Sequence, residues 1–168
     1  FVYTLGLKRR TPQNIVWGGA AGAMPAVIGW AAVTNELSLS AWVLFLIIFL
    51  WTPPHYWPLS MRYLEEYKEA GVPMLPVVAK NEKVGRQIIL YAYAYFASTL
   101  LLIPVADMGL VYVLAAVLSG VWFVWESHRL YAEAKLTVPK NPMRLFHASI
   151  THLTILFLAI AIDPLLHI

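Results

Sequence analysis

The run Leu39-Ser-Ala-Trp-Val-Leu-Phe-Leu-Ile-Ile-Phe-Leu-Trp51, carried on by Thr52-Pro-Pro-His-Tyr-Trp-Pro58, decides the fold class. Its first thirteen residues carry no charge, yet a helix needs about 20 residues to cross a hydrocarbon core. The helix must therefore take in part of the proline-rich continuation, as far as Leu64 at its longest, or end inside the membrane. Proline removes an amide donor and kinks a helix, and irregular backbone at membrane depth survives only against protein or a wet cavity. On this reading Pro53, Pro54 and Pro58 interrupt the helix, aim His55 into a cavity and carry Glu65 and Glu66 to its mouth.

The rest of the chain agrees with a membrane setting. Of its 168 residues 60% are hydrophobic and 12% charged, with a mean hydropathy of +0.67, far from the usual balance of a soluble domain. Hydropathy lays out four further spans, about Asn14–Val33, Gln87–Pro104, Leu110–Trp125 and Leu145–Ile162, beside Leu39–Tyr56 and its extension. Backbone groups in lipid must bond internally, so the expected class is all-α, a multi-pass transmembrane helix bundle. Gly18, Gly19 and Gly22 in the first span suit close helix packing. The chain has no cysteine, which excludes disulfides, thiolate metal sites and a cysteine nucleophile. It starts with Phe1-Val-Tyr-Thr-Leu-Gly-Leu, which reads as the tail of an earlier apolar segment. The expectation is one transmembrane domain over residues 1–168, truncated at its N-terminus.

Charge gives the orientation. Lys8, Arg9 and Arg10, then Arg62, Lys68, Lys80, Lys83 and Arg86, then Arg129, Lys135, Lys140 and Arg144 make up all 12 Lys and Arg. The intervening loops hold only Glu36 and Asp107. By the positive-inside rule the basic segments share the cytoplasmic side or its organellar equivalent. The net charge of +3 follows from this asymmetry, and no nucleic-acid partner is needed to explain it.

Two clusters on that side have the chemistry of a site. Lys8-Arg9-Arg10-Thr11 at the mouth of a helix suits an anion such as a diphosphate, although a basic run after a span also serves simply to hold it inside. On a continued helix Arg62, Glu66 and Glu69 would fall within about 40° of His55. Glu65, Glu66 and Glu69 are hard oxygen donors suited to Mg²⁺ bridged to phosphate, or else a solvated face balanced by Arg62 and Lys68. His55 suits a ligand, donor or proton carrier, or else packs at the interface. Trp17, Trp51 and Trp57 are packing residues or, if they line the cavity, shields for a developing cation. His128, His147 and His152 are weaker leads, and Asp163 marks the far interface.

Tyr3-Thr-Leu-Gly-Leu-Lys-Arg-Arg-Thr-Pro-Gln-Asn-Ile-Val-Trp-Gly-Gly-Ala-Ala-Gly-Ala-Met-Pro25 and Trp51-Thr-Pro-Pro-His-Tyr-Trp57, followed by Glu65-Glu-Tyr-Lys-Glu-Ala-Gly-Val-Pro-Met-Leu-Pro76, resemble the signatures of the protohaem IX farnesyltransferase (haem O synthase) family of intramembrane UbiA-type prenyltransferases. The resemblance implies a nine-span bundle, of which these five spans would be the second half. It implies transfer of a farnesyl group from farnesyl diphosphate to a vinyl group of haem b, with Mg²⁺ bridging the diphosphate and haem b as substrate. It further implies a bacterial inner membrane, or a mitochondrial one in a eukaryote, and a downstream haem A synthase as partner. By the same resemblance Lys8, Arg9 and Arg10 bind diphosphate or a haem propionate, helped by Thr11, Asn14 and Tyr67. His55 contacts haem, iron ligation being one such contact, Arg62 pairs with a propionate, and Glu65 and Glu66 hold the metal. These glutamates stand where the family carries aspartate at one or both sites. The family's first acidic motif, of Asn and Asp, is absent from the 168 residues, so the chain alone is expected to be inactive. A quinone-type acceptor would share the acidic and basic motifs, but the Thr-Pro-Pro-His signature argues against it. A transporter or assembly factor would use the proline breaks and buried histidine as a solute pathway instead.

Overall fold

The computed structural model describes residues 10–166. They form seven helices: α1 (Asn14–Thr34), α2 (Leu39–Arg62), α3 (Leu64–Glu69), α4 (Leu75–Val78), α5 (Asn81–Val105), α6 (Leu110–Leu136) and α7 (Met143–Leu166). Among the described residues there is no strand. Five helices, α1, α2, α5, α6 and α7, are long and apolar enough to cross a membrane. The protein is therefore an all-α, multi-pass membrane bundle.

At the basic end the helices outrun the hydropathy limits. α5 starts at Asn81 rather than Gln87, and α6 continues past Trp125 to Leu136. The added turns, Asn81–Arg86 and Glu126–Leu136, are rich in Glu, Lys, Arg, Ala and Leu, which favour helix in water as well as in lipid. Hydropathy reports where lipid ends, not where hydrogen bonding ends.

Packing follows from small residues at helical spacing. α2, α5, α6 and α7 close a four-helix ring, and α1 leans on the outside of α2. On α1 the buried face is Asn14, Gly19, Ala23 and Val27. A Cβ at Gly19 would meet the Thr52 side chain at 3.0 Å, so glycine there lets α1 approach α2. The core runs from Val84 and Leu145 near the basic end through Trp57, Ile88, Phe123 and Tyr95 to Leu102 and Tyr112. Asp163, 2% exposed, has a structural task beyond marking an interface. Its carboxylate accepts the backbone N–H of Gly109 (2.5 Å) and of Tyr112 (3.0 Å), satisfying the start of α6 from the end of α7.

The expectation that prolines interrupt the second span is corrected. α2 is continuous through Pro53, Pro54 and Pro58, all three buried. Hydroxyls of the same helix bond to carbonyls around the prolines: Thr52 Oγ1 donates to Ile48 O (2.9 Å) and Ser60 Oγ to Tyr56 O (2.9 Å). Neighbouring helices shelter the carbonyls of Phe49, Leu50 and Pro54, which the prolines leave without an amide donor. The break comes instead at Tyr63 (φ −108°, ψ 41°), where α2 ends and the short α3 begins. α2 thus reaches beyond Tyr56, within the extension the sequence allowed.

Candidate active site

Because successive spans alternate in direction, the start of α1, the end of α2 and the α3–α4 segment meet at one end of the bundle. A cleft of about 570 Å³ opens there, within the range of small-molecule sites. α1 contributes Asn14 and Ile15, α2 Tyr56, the α2–α3 junction Tyr63, α3 Glu66 and Tyr67, and the following loop Val72 and Met74. Beside it lies a more polar recess of about 490 Å³, lined by Arg62, Leu64, Glu65, Glu66 and Glu69. Glu66 borders both.

The turn at Tyr63 produces this grouping. It ends the register that would have carried Glu66 and Glu69 onto the face of His55, and gathers Arg62, the last residue of α2, with the three glutamates around their own recess. Glu65 Oε2 lies 3.7 Å from Lys68 Nζ, and both side chains are largely exposed. Such a pair adds little to stability and leaves the carboxylate available. The Arg62 guanidinium carbon lies 5.8 Å from the Tyr63 ring centroid.

Of the other predicted residues, Asn14 (1% exposed) and Tyr67 line the cleft. Thr11 has a local role at the start of α1: its Oγ1 accepts the Gln13 N–H (3.2 Å) and its carbonyl the Asn14 N–H (3.2 Å). Arg10 is exposed just before α1. Lys8 and Arg9 lie outside the described residues.

His55 is not among the residues that line the cleft. It is 7% exposed and packs toward α7, its ring stacked between Trp51 (centroids 4.0 Å apart) and Phe146 (4.5 Å). Nδ1 lies 2.7 Å from Ser149 Oγ. The prolines leave α2 intact, so they do not swing His55 away from the helix face it shares with its neighbours. None of the three tryptophans weighed as cation shields lines the cleft either. Trp17 faces outward, Trp51 covers His55, and Trp57 is wholly buried. The aromatic groups of the cleft are tyrosines, of which only Tyr67 was read from sequence. Tyr56 and Tyr63, seven residues apart and about 20° around a helix, carried a signal that was available.

Among the described residues no three His, Cys, Asp or Glu side chains converge as a ready-made metal cage. The donors at the recess are nonetheless all oxygen, and such a set fits a hard divalent cation that takes further ligands from phosphate.

The sequence profile described as the UbiA prenyltransferase family matches residues 1–150. The chain belongs to the UbiA prenyltransferase family. Within it, the chain is similar to relatives named protoheme IX farnesyltransferase. That of Clavibacter michiganensis subsp. michiganensis is 65% identical over 99% of this chain and 54% of its own length. That of Leifsonia xyli subsp. xyli is 62% identical over 98% and 53%, and that of a Parafrankia species 57% over 99% and 53%. The chain spans about half the length of the curated relatives it matches. No solved structure matches it. In this UbiA chain both signature stretches flank the cleft: Asn14 and Ile15 come from the first, Tyr56, Glu66 and Tyr67 from the second.

Proposed function

We propose that this chain is the second half of a protohaem IX farnesyltransferase, one transmembrane domain over residues 1–168 that completes its site with an N-terminal half bearing the first acidic motif. The reaction joins the farnesyl group of farnesyl diphosphate to a vinyl group of haem b and gives haem O. The observation that carries the reading is the meeting of both signature stretches at one cleft, in a chain 65% identical over 99% of its length to a protein of that name.

The residues divide the work by their chemistry. Lys8, Arg9, Arg10 and Arg62 supply positive charge for diphosphate or propionate oxygens, the guanidinium fork suiting two acceptors at once. Glu65 and Glu66 would hold Mg²⁺, which when bound neutralises charge on the departing diphosphate. Asn14 and Tyr67 add polar contacts that orient the substrate. Ile15, Val72 and Met74 give the isoprenoid an apolar wall and limit water, and the ring faces of Tyr56 and Tyr63 favour the positive charge that develops on the allylic carbon. As the C–O bond to diphosphate breaks, the vinyl carbon bonds to that allylic carbon. Water then adds to the resulting cation and loses a proton, leaving the hydroxyethylfarnesyl group. His55 contacts haem from the α2–α7 seam. The basic end faces the cytoplasm of a bacterial inner membrane, and haem O passes on to a haem A synthase.

Expression of the full-length gene with Mg²⁺, haem b and farnesyl diphosphate, followed by mass detection, is expected to yield haem O. A folded protein that forms no haem O would overturn the proposal.

A further inference from the structure

The contacts of Ser149 fix something about His55 that neither the fold nor the cleft determines. Ser149 is wholly buried on α7. Its hydroxyl lies 2.6 Å from the carbonyl oxygen of Phe146, which can only accept, so the single hydroxyl proton is spent there. Toward His55 Nδ1, 2.7 Å away, the same oxygen can then act only as an acceptor. The proton of that second bond must come from the imidazole. The Trp51 indole N–H donates to the Ser149 carbonyl (3.0 Å), tying α2 to α7 at the same residue. Trp51 and Phe146 hold both ring faces.

We infer that Ser149 is a positioning residue that locks neutral His55 as the Nδ1–H tautomer and so leaves the Nε2 lone pair as the one donor the ring offers. Nε2 has no hydrogen bond among the described residues and, unlike Nε2 of His152, is not sealed from solvent. His152 shows the same device: Ser119 Oγ donates to Ala115 O and lies 2.6 Å from His152 Nδ1. There the ring is wholly enclosed, so the device serves packing. At His55 it presents a lone pair, the form that an imidazole needs to ligate a metal or take a proton. The tautomer stands on geometry alone, while its use toward haem rests on the proposed function.

The test is ¹⁵N NMR of histidine-labelled full-length protein in detergent, at a pH where the ring is neutral, with the His55 signal assigned by its loss in His55→Gln. Wild type is expected to carry the proton on Nδ1. Ser149→Ala should shift it to Nε2, the form commoner in water, and Ser149→Thr should restore it. In turnover Ser149→Ala is expected to lose about 10–100-fold, the usual cost of removing a partner that orients such a ligand, with KM for farnesyl diphosphate unchanged and recovery in Ser149→Thr. A wild-type His55 protonated on Nε2, which needs no variant to fold, would overturn the inference. So would Ser149→Ala with its Nδ1 proton and turnover intact. Because the tautomer is read without haem or diphosphate, its failure and failure of the reaction are separate results.

Discussion

Single residues in this bundle are best understood by what their polar atoms have in place of water. Asp163 gives both oxygens to the first amides of α6, and Glu126, 2% exposed, receives Arg144 in a two-pronged pair at 2.7 Å and 2.7 Å. Asp163, near the end of α7, ties it to the start of α6, and Glu126, within α6, holds the start of α7 through Arg144. Asp163→Ala leaves two helix-terminal amides without their acceptor and should lower stability by about 1–2 kcal/mol, read as an earlier thermal unfolding transition of the full-length protein in detergent. An unchanged transition would mean that water reaches those amides. Sequence placed Asp163 near the end of the last span but did not give its role, because the role depends on which helix end lies opposite. His55 shows the same limit. Its motif identified it as important, but its partner, Ser149, is 94 residues away and has no local signature.

At the scale of elements, the spans were legible because apolar length in lipid has almost one solution. Their ends were less so. The prolines of α2 illustrate why: rules for proline learned from helices in water overstate the break, since a packed membrane helix keeps its course through three buried prolines where neighbouring helices exclude lipid. Tyr63, with no breaker residue beside it, ends the helix instead. Close approach between elements is a second property that hydropathy misses. At Gly120 of α6 a Cβ would collide with the ring of Phe96 on α5. Gly120→Ala should therefore cost about 1–3 kcal/mol through displaced packing, whereas Gly120→Ala paired with Phe96→Leu should recover part of that loss. A double variant no more stable than the single one would show that the two positions are not coupled.

The whole molecule joins two properties that the sequence displays separately. Basic loops alternate with loops free of Lys and Arg, as expected of spans that run in alternating directions, and that alternation of direction brings the start of α1 to the end of α2. The cleft is a consequence of that topology. The polar border of the cleft and its adjoining recess was legible as Asn14, Arg62, Glu65, Glu66 and Tyr67, whereas its separation from His55 was not, because a turn at Tyr63 resets the register that helical periodicity would continue. Glu66 is the pivotal residue, because it borders both the cleft and the carboxylate-rich recess. Glu66→Gln keeps the shape and removes the charge at an exposed position, so folding should be unaffected. The decisive measurement is the rate of haem O formation by full-length wild type and Glu66→Gln under saturating haem b, farnesyl diphosphate and Mg²⁺. Glu66→Gln is expected to lose about 100-fold or more, the scale of losing one electrostatic contact to developing charge, with thermal stability unchanged. Turnover by Glu66→Gln equal to wild type would contradict it.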